Sequence, residues 1–162
     1  MAEVLETTTM LGVPFEPKRK FRWFLQIDGI DAFTLKTAAR PQVTFEETVI
    51  DYINTKRYIA GKAAPNPISI TLHDPITPSA SQKVMTWVRR SYEALTGRAG
   101  YATQYKQNIT LKLLDPVGAV VELWDIRGAW IQDVNMGDLD YATSDNTEIQ
   151  LSIRFDIAVE EF

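Results

Sequence analysis

Thr147–Val159 reads T-E-I-Q-L-S-I-R-F-D-I-A-V, and its alternation decides the fold class. Ile149, Leu151, Ile153, Phe155, Ile157 and Val159 fall on one side of an extended chain. Glu148, Gln150, Ser152, Arg154 and Asp156 fall on the other, with only Ala158 interrupting the polar row. Successive side chains leave opposite faces of a strand, so the segment reads as half-buried β-structure; a helix would scatter the same residues around its circumference. At ~3.3 Å per residue the thirteen positions reach roughly 43 Å, about twice a typical strand. A strand that long needs hydrogen-bonding neighbours along both edges, and some of them are expected to come from other copies of the chain.

The composition sets the frame for that strand. A chain of 162 residues that is 45% hydrophobic and 23% charged is long enough for its own core. No apolar run approaches the ~20 residues of a membrane-spanning helix. The start, M-A-E-V-L-E-T-T-T-M, lacks the basic and apolar regions of a secretory signal. There is no cysteine, which excludes disulfides and thiolate metal sites and fits a reducing compartment. A formal charge of −4 argues against a sequence-reading DNA binder, whose contact face is strongly basic.

Outward from the closing strand, residues 1–17 read as an arm interrupted by Gly12, Pro14 and Pro17, and residues 18–162 as one β domain. After Lys18, Arg19, Lys20 and Arg22, a strand places Phe21, Trp23, Leu25 and Ile27 on one face. The Asp28-Gly29 turn then predicts a hairpin returning through Phe33–Lys36. Val43–Ile53 alternates without either face being purely apolar. Asn54–Pro67 reads as a long loop carrying Lys56, Arg57 and Lys62 and no acid, and Ile68–His73 as a strand. One helix is expected between a Ser79/Gln82 cap and Gly97, with Val84, Trp87, Val88, Tyr92 and Leu95 in a stripe. Strands at Asn108–Asp115, Ala119–Ile126 and Gly128–Val134 follow, then an acidic connection from Asp138 to Asn146. The fold class is mainly β: a two-sheet sandwich or barrel with one flanking helix and a long inter-strand loop.

Little in this chain points to catalysis. His73, the single histidine, lies on the polar side of its strand. No phosphate-binding loop, dinucleotide fingerprint or nucleophile elbow is present. Glu46 and Glu47 are adjacent in a strand and face opposite ways, so they cannot flank one bond. No catalytic residue, metal site or cofactor is assigned. The charge pattern is more informative. Gly128–Ile153 holds Asp133, Asp138, Asp140, Asp145 and Glu148 with no Lys or Arg, against the acid-free 54–62 segment. Docking of the basic segment of one copy on the acidic patch of the next (Asp133, Asp138, Asp140, Asp145) would make a head-to-tail contact, which closes into rings or continues as a filament.

Three places resemble one family. They are Lys36–Pro41 before the long strand, Asn54-Thr55-Lys56-Arg57-Tyr58-Ile59-Ala60-Gly61 after it, and Gly128-x-Trp130 with Val134, Leu139 and Asn146-x-Glu148-Ile149-Gln150. In order and spacing the sequence from Phe21 to Phe162 resembles the tail-tube proteins of contractile-tailed, T4-like bacteriophages. It departs after Trp130, where Ile131 stands in place of a frequent proline. The resemblance implies hexameric rings stacked into a tube inside a sheath, each copy giving four strands to a continuous inner barrel. Twenty-four strands at ~4.8 Å spacing and ~40° tilt make a barrel roughly 48 Å across, wide enough for duplex DNA once lined. Its implied partners are further copies of the chain, the sheath, baseplate, tape-measure and tail-terminator proteins, and DNA that passes without specific binding. The implied location is the phage tail, after assembly in the host cytoplasm. Thr44, Glu46, Thr48, Glu148, Gln150 and Ser152 are the lumen candidates. Asn54, Lys56, Arg57, Ala60, Gly61 and Lys62 are the ring-stacking candidates. A tube from a type VI secretion or pyocin-like machine, and a monomeric β-sandwich binding module, are the alternatives.

Overall fold

The computed structural model describes residues 7–162; the first part of the expected arm, residues 1–6, lies outside the described residues. A short helix α1 (Thr7–Leu11) is followed by an exposed, irregular segment up to β1 (Trp23–Ile27). A 3-10 turn at Ala32–Thr34 leads into β2 (Leu35–Ala38), then β3 (Val43–Asp51), β4 (Lys56–Pro65) and β5 (Ile68–His73). Helix α2 (Ala80–Ser91) is followed by the two-residue strands β6 (Tyr92–Glu93) and β7 (Arg98–Ala99) and by a helical turn α3 (Ala102–Tyr105). The chain ends with β8 (Gln107–Leu114), β9 (Val120–Asn135), β10 (Glu148–Arg154) and β11 (Ile157–Glu160).

The main sheet runs β1-β8-β9-β10-β5-β2, with β11 also on β9, and every pairing is antiparallel. It folds over itself because β9 is sixteen residues long and bends at Gly128, whose φ is +68°. One edge of β9 holds β8; the other holds β11 and then β10. The alternating residues converge between the two halves. Leu25 and Ile27, Ile68, Ile70 and Leu72, Ile109 and Leu111, Ile126 and Ile131, and Ile149, Leu151 and Ile153 form one core. From α2, Ala80, Val84 and Trp87 close it, and the Trp87 indole donates to the Tyr105 carbonyl at 2.7 Å. Ser79 caps this helix, accepting the Gln82 N–H as the sequence reading expects.

The mainly-β reading holds, and four of its local expectations change. The closing strand is two strands in one register: Arg154 faces Trp130, Ile157 faces Arg127, and Phe155–Asp156 bend between them opposite the Gly128 kink. A Cβ on Gly128 would fall on the Asp156 carboxylate, which instead binds the Lys106 ammonium at 2.8 Å. Beyond the bend the alternation no longer reports the core, so Ile157 and Val159 are exposed. Secondly, β2 does not return against β1; it pairs with β5 at the far edge of the sheet, and Phe21 is exposed. Thirdly, α2 ends at Ser91 rather than near Gly97, because residues 92–99 fold into the β6–β7 hairpin, leaving Tyr92 and Leu95 outside the stripe. Lastly, most of the expected 54–67 loop is the ten-residue strand β4.

Candidate functional site

Two surfaces carry the residues that the sequence singles out. The first is the β3–β4 hairpin, a two-stranded sheet separate from the main one. Every residue of β3 is exposed, and in β4 only Pro65 is partly covered. Cross-strand partners share a face, and the pairing sorts the candidates. Thr44 and Thr48 lie opposite Ala64 and Ile59, and Ile50 lies opposite Arg57. Glu46 faces a β-bulge, since β4 advances three residues from Ala63 to Ala60 while β3 advances two from Phe45 to Glu47. Gly61 sits in that bulge; a Cβ there would come within 2.9 Å of the Glu46 carbonyl oxygen. The other face holds Val43, Phe45, Val49 and Asp51 opposite Pro65, Ala63, Tyr58 and Lys56.

Apart from Asn54, the stacking candidates are therefore strand residues on both faces, and not members of one loop. Lys56 and Ala60 share the Val49 face, Arg57 shares the Ile50 face, Gly61 and Lys62 form the bulge, and Asn54 is in the four-residue connection 52–55 beside the fully exposed Ile53. Within the hairpin Lys56 pairs with Asp51 at 3.6 Å, and the Arg57 guanidinium lies over the Tyr52 ring at 5.8 Å. An isolated two-stranded ribbon is marginal in water, and this one leaves apolar side chains uncovered on both faces, the mark of an interaction surface.

The second surface is the outer face of β9, β10, β5 and β2. Register places Glu148 beside His73, Gln150 between Thr71 and Asn135, and Ser152 between Ser69 and Asp133. Their apolar neighbours point inward, so this face is polar and mostly uncharged. Glu148 forms an ion pair with Lys36. Asp138 and Asp145 line the same open cleft of about 690 Å³ as Lys36, His73, Glu148 and Gln150. The acidic patch is thus divided. Asp138 and Asp145 join two of the lumen candidates, Asp133 belongs to the β9–β10 ladder, and Asp140 organises its own turn by accepting the Ala142 N–H at 2.9 Å. His73 is exposed on that face, and among the described residues no three His, Asp or Glu side chains gather as a metal set.

A third group went unread in the sequence. Glu122 on β9 is 2% exposed, yet it lies on the same side of the strand as Trp124 and Ile126. It accepts from the Trp124 indole at 2.6 Å, from Lys18 before β1, and from Arg40 after β2 at 3.4 Å. Burial pushes its carboxyl pKa up, but the Lys18 and Trp124 hydrogen bonds and the charges of Lys18 and Arg40 outweigh that, so the net shift is downward. The pair of cations matters for position: Arg40 stands at the root of β3, where the hairpin leaves the body. The readable signal was an acid on the apolar side of an alternating run.

Known structures place the architecture. Over 92% of its length the chain superposes on 93% of a chain from the tube-terminating cap of the anti-feeding prophage (TM-score 0.71, 14% identity). A chain of the extended sheath–tube complex of an extracellular contractile injection system, PVC, matches with TM-score 0.71 and 12% identity, covering 97% of this chain and 99% of that one. Hcp1 from Flavobacterium johnsoniae matches with TM-score 0.55 and 12% identity, covering 87% and 95%. At such identities the likeness is one of fold. No curated protein matches by sequence. The family model of the T4-like virus tail tube protein gp19 matches residues 19–160, nearly the whole described chain, and the chain belongs to that family.

Proposed function

We propose that this tail-tube subunit assembles into hexameric rings that stack into the inner tube of a phage tail, a conduit for DNA. The observation carrying this reading is the β3–β4 hairpin, exposed on both faces and, among the described residues, paired with no other strand. Neighbouring copies would supply the missing edges and cover its apolar side chains, which also removes edges that would otherwise template aggregation. The polar face bearing Gln150, Ser152, Thr71 and Ser69 and the hairpin face bearing Thr44, Glu46 and Thr48 would line the channel. Hydroxyls and carboxylates there hold no phosphates, and six copies at −4 each bring −24 formal charge to a ring, so DNA slides without sticking.

The outer partners would be the sheath along the tube, the baseplate at one end, the terminator at the other and a tape-measure protein in the lumen during assembly in the host cytoplasm. The work of the chain is structural and not enzymatic. Electron microscopy of the purified, concentrated protein tests the reading: six-fold rings or tubes are expected. A concentration-independent monomer that adds to no seed would favour the monomeric module instead.

A further inference from the structure

The main sheet does not close. Among the described residues its terminal strands β1 and β2 each pair on one side only, and a cleft of about 460 Å³ opens between them. Trp23, Leu111 and Leu113 give it apolar walls, and Lys18, Arg19, Lys20, Lys36 and Arg40 stand around it. A contiguous cleft of about 520 Å³ shares Lys20, Trp23 and Lys36 and continues past Phe21 and Phe24, both exposed. The groove is therefore long and apolar at its base; of its rim cations, Lys18 and Arg40 pair with Glu122 and Lys36 with Glu148, which among the described residues leaves Arg19 and Lys20 as the charges open to a partner.

The N-terminal arm has the opposite character. Residues 1–17 contain Glu3, Glu6 and Glu16 and no Lys or Arg. Leu11 ends α1, and Val13 and Phe15 follow it two residues apart; each of the three is about four-fifths exposed (79%, 87% and 84%). Pro14 and Pro17 fix φ at two positions after α1, which lowers the conformational entropy lost on docking.

We infer that the arm of one copy seats in the β1–β2 groove of a second copy, Leu11, Val13 and Phe15 filling the apolar base while the arm's carboxylates meet the cationic rim. The arm does not fill its own groove, as the exposure of its three apolar side chains records. Each copy both gives an arm and receives one, a heterologous contact that links subunits in series. Ion pairs at the rim make the contact salt-sensitive, and the buried Glu122 fixes two of the rim cations, Lys18 and Arg40, in place.

The inference rests on the tube reading. The absence of native cysteine makes disulfide trapping clean. Val13→Cys and Thr37→Cys, both at exposed positions, are purified separately, mixed, assembled and oxidised, with circular dichroism checking the fold. The expected product is a mixed disulfide dimer of the two variants, reduced at least tenfold when Lys20→Glu is added to the Thr37→Cys chain. Rings or tubes without the mixed dimer overturn the arm's placement and leave the tube reading standing. An intramolecular bond in dilute double-cysteine monomer overturns it as well, by seating the arm in its own groove. Well-folded protein that forms neither ring nor dimer overturns both.

Discussion

At the scale of residues, two positions set local geometry that composition conceals. Glu122 is a buried carboxylate whose pKa in the folded protein lies below its ordinary 4.5. Such a group stabilises the fold above its unfolded pKa and loses that contribution as pH falls through 4.5 toward the folded value. Glu122→Gln is expected to lower stability at pH 7 by about 1.5–3 kcal/mol, the range for lost hydrogen bonds to a charged group. It should also flatten the acid limb of a stability–pH curve below 4.5. Urea melts of both proteins from pH 3 to 7 check the sign; an unchanged acid limb would show that other groups govern it. Gly128 is the second. With φ at +68° and Asp156 against its Cα, Gly128→Ala should lose at least about 1–2 kcal/mol from the left-handed backbone alone, measured as a drop in the urea midpoint. Glu122 leaves a trace in sequence as an acid on the apolar side of an alternating run, but neither its partners nor the Gly128 kink is legible there, because alternation reports the parity of a side chain and says nothing of what lies across from it.

At the scale of elements, the chain was readable where a strand covers the core and unreadable where it lies off the core or pairs with a distant strand. Ile149, Leu151 and Ile153, and Ile68, Ile70 and Leu72, are buried as their alternation requires. Lys56–Pro65 looked like a loop because Ala, Gly and Lys have weak strand propensity; its extended form comes from pairing with β3. β2 was misplaced because its partner β5 lies some thirty residues on, across the hairpin, and local turn signals favour the nearer strand. Under the proposed assembly, the basic residues sorted onto the two hairpin faces are the candidates for contacts between rings. Lys56→Glu with Lys62→Glu should leave a folded, soluble subunit, since both side chains are exposed, and abolish tube growth. Circular dichroism and negative-stain microscopy check the two halves of that outcome; normal tubes from the double variant would remove the hairpin cations from the stacking contact.

At the scale of the whole molecule, a core that closes well inside the sheet contrasts with three surfaces left unfinished: the hairpin, the polar outer face and the β1–β2 groove. A self-sufficient monomer of this size has no use for a ribbon with Val43, Phe45, Tyr58 and Ile59 all in solvent. Completion by identical neighbours accounts for the ribbon and for the polar face together, since a wall lining a water-filled channel needs hydroxyls and carboxylates on one side and packing on the other. Of the candidate site, the residue types and their two-sidedness were legible in sequence; that Glu148 and Gln150 share a cleft with Asp138 and Asp145 was not, because it depends on the register of β10 against β5 and β9. The most direct measurement is a cryo-electron microscopy map of the assembled protein that resolves side chains. Expected is a six-fold ring in which β3 and β4 hydrogen-bond to strands of adjacent copies, with Thr44, Glu46 and Thr48 facing an open channel. A map in which the hairpin stays unpaired in solvent, or points those three residues away from any channel, would contradict it.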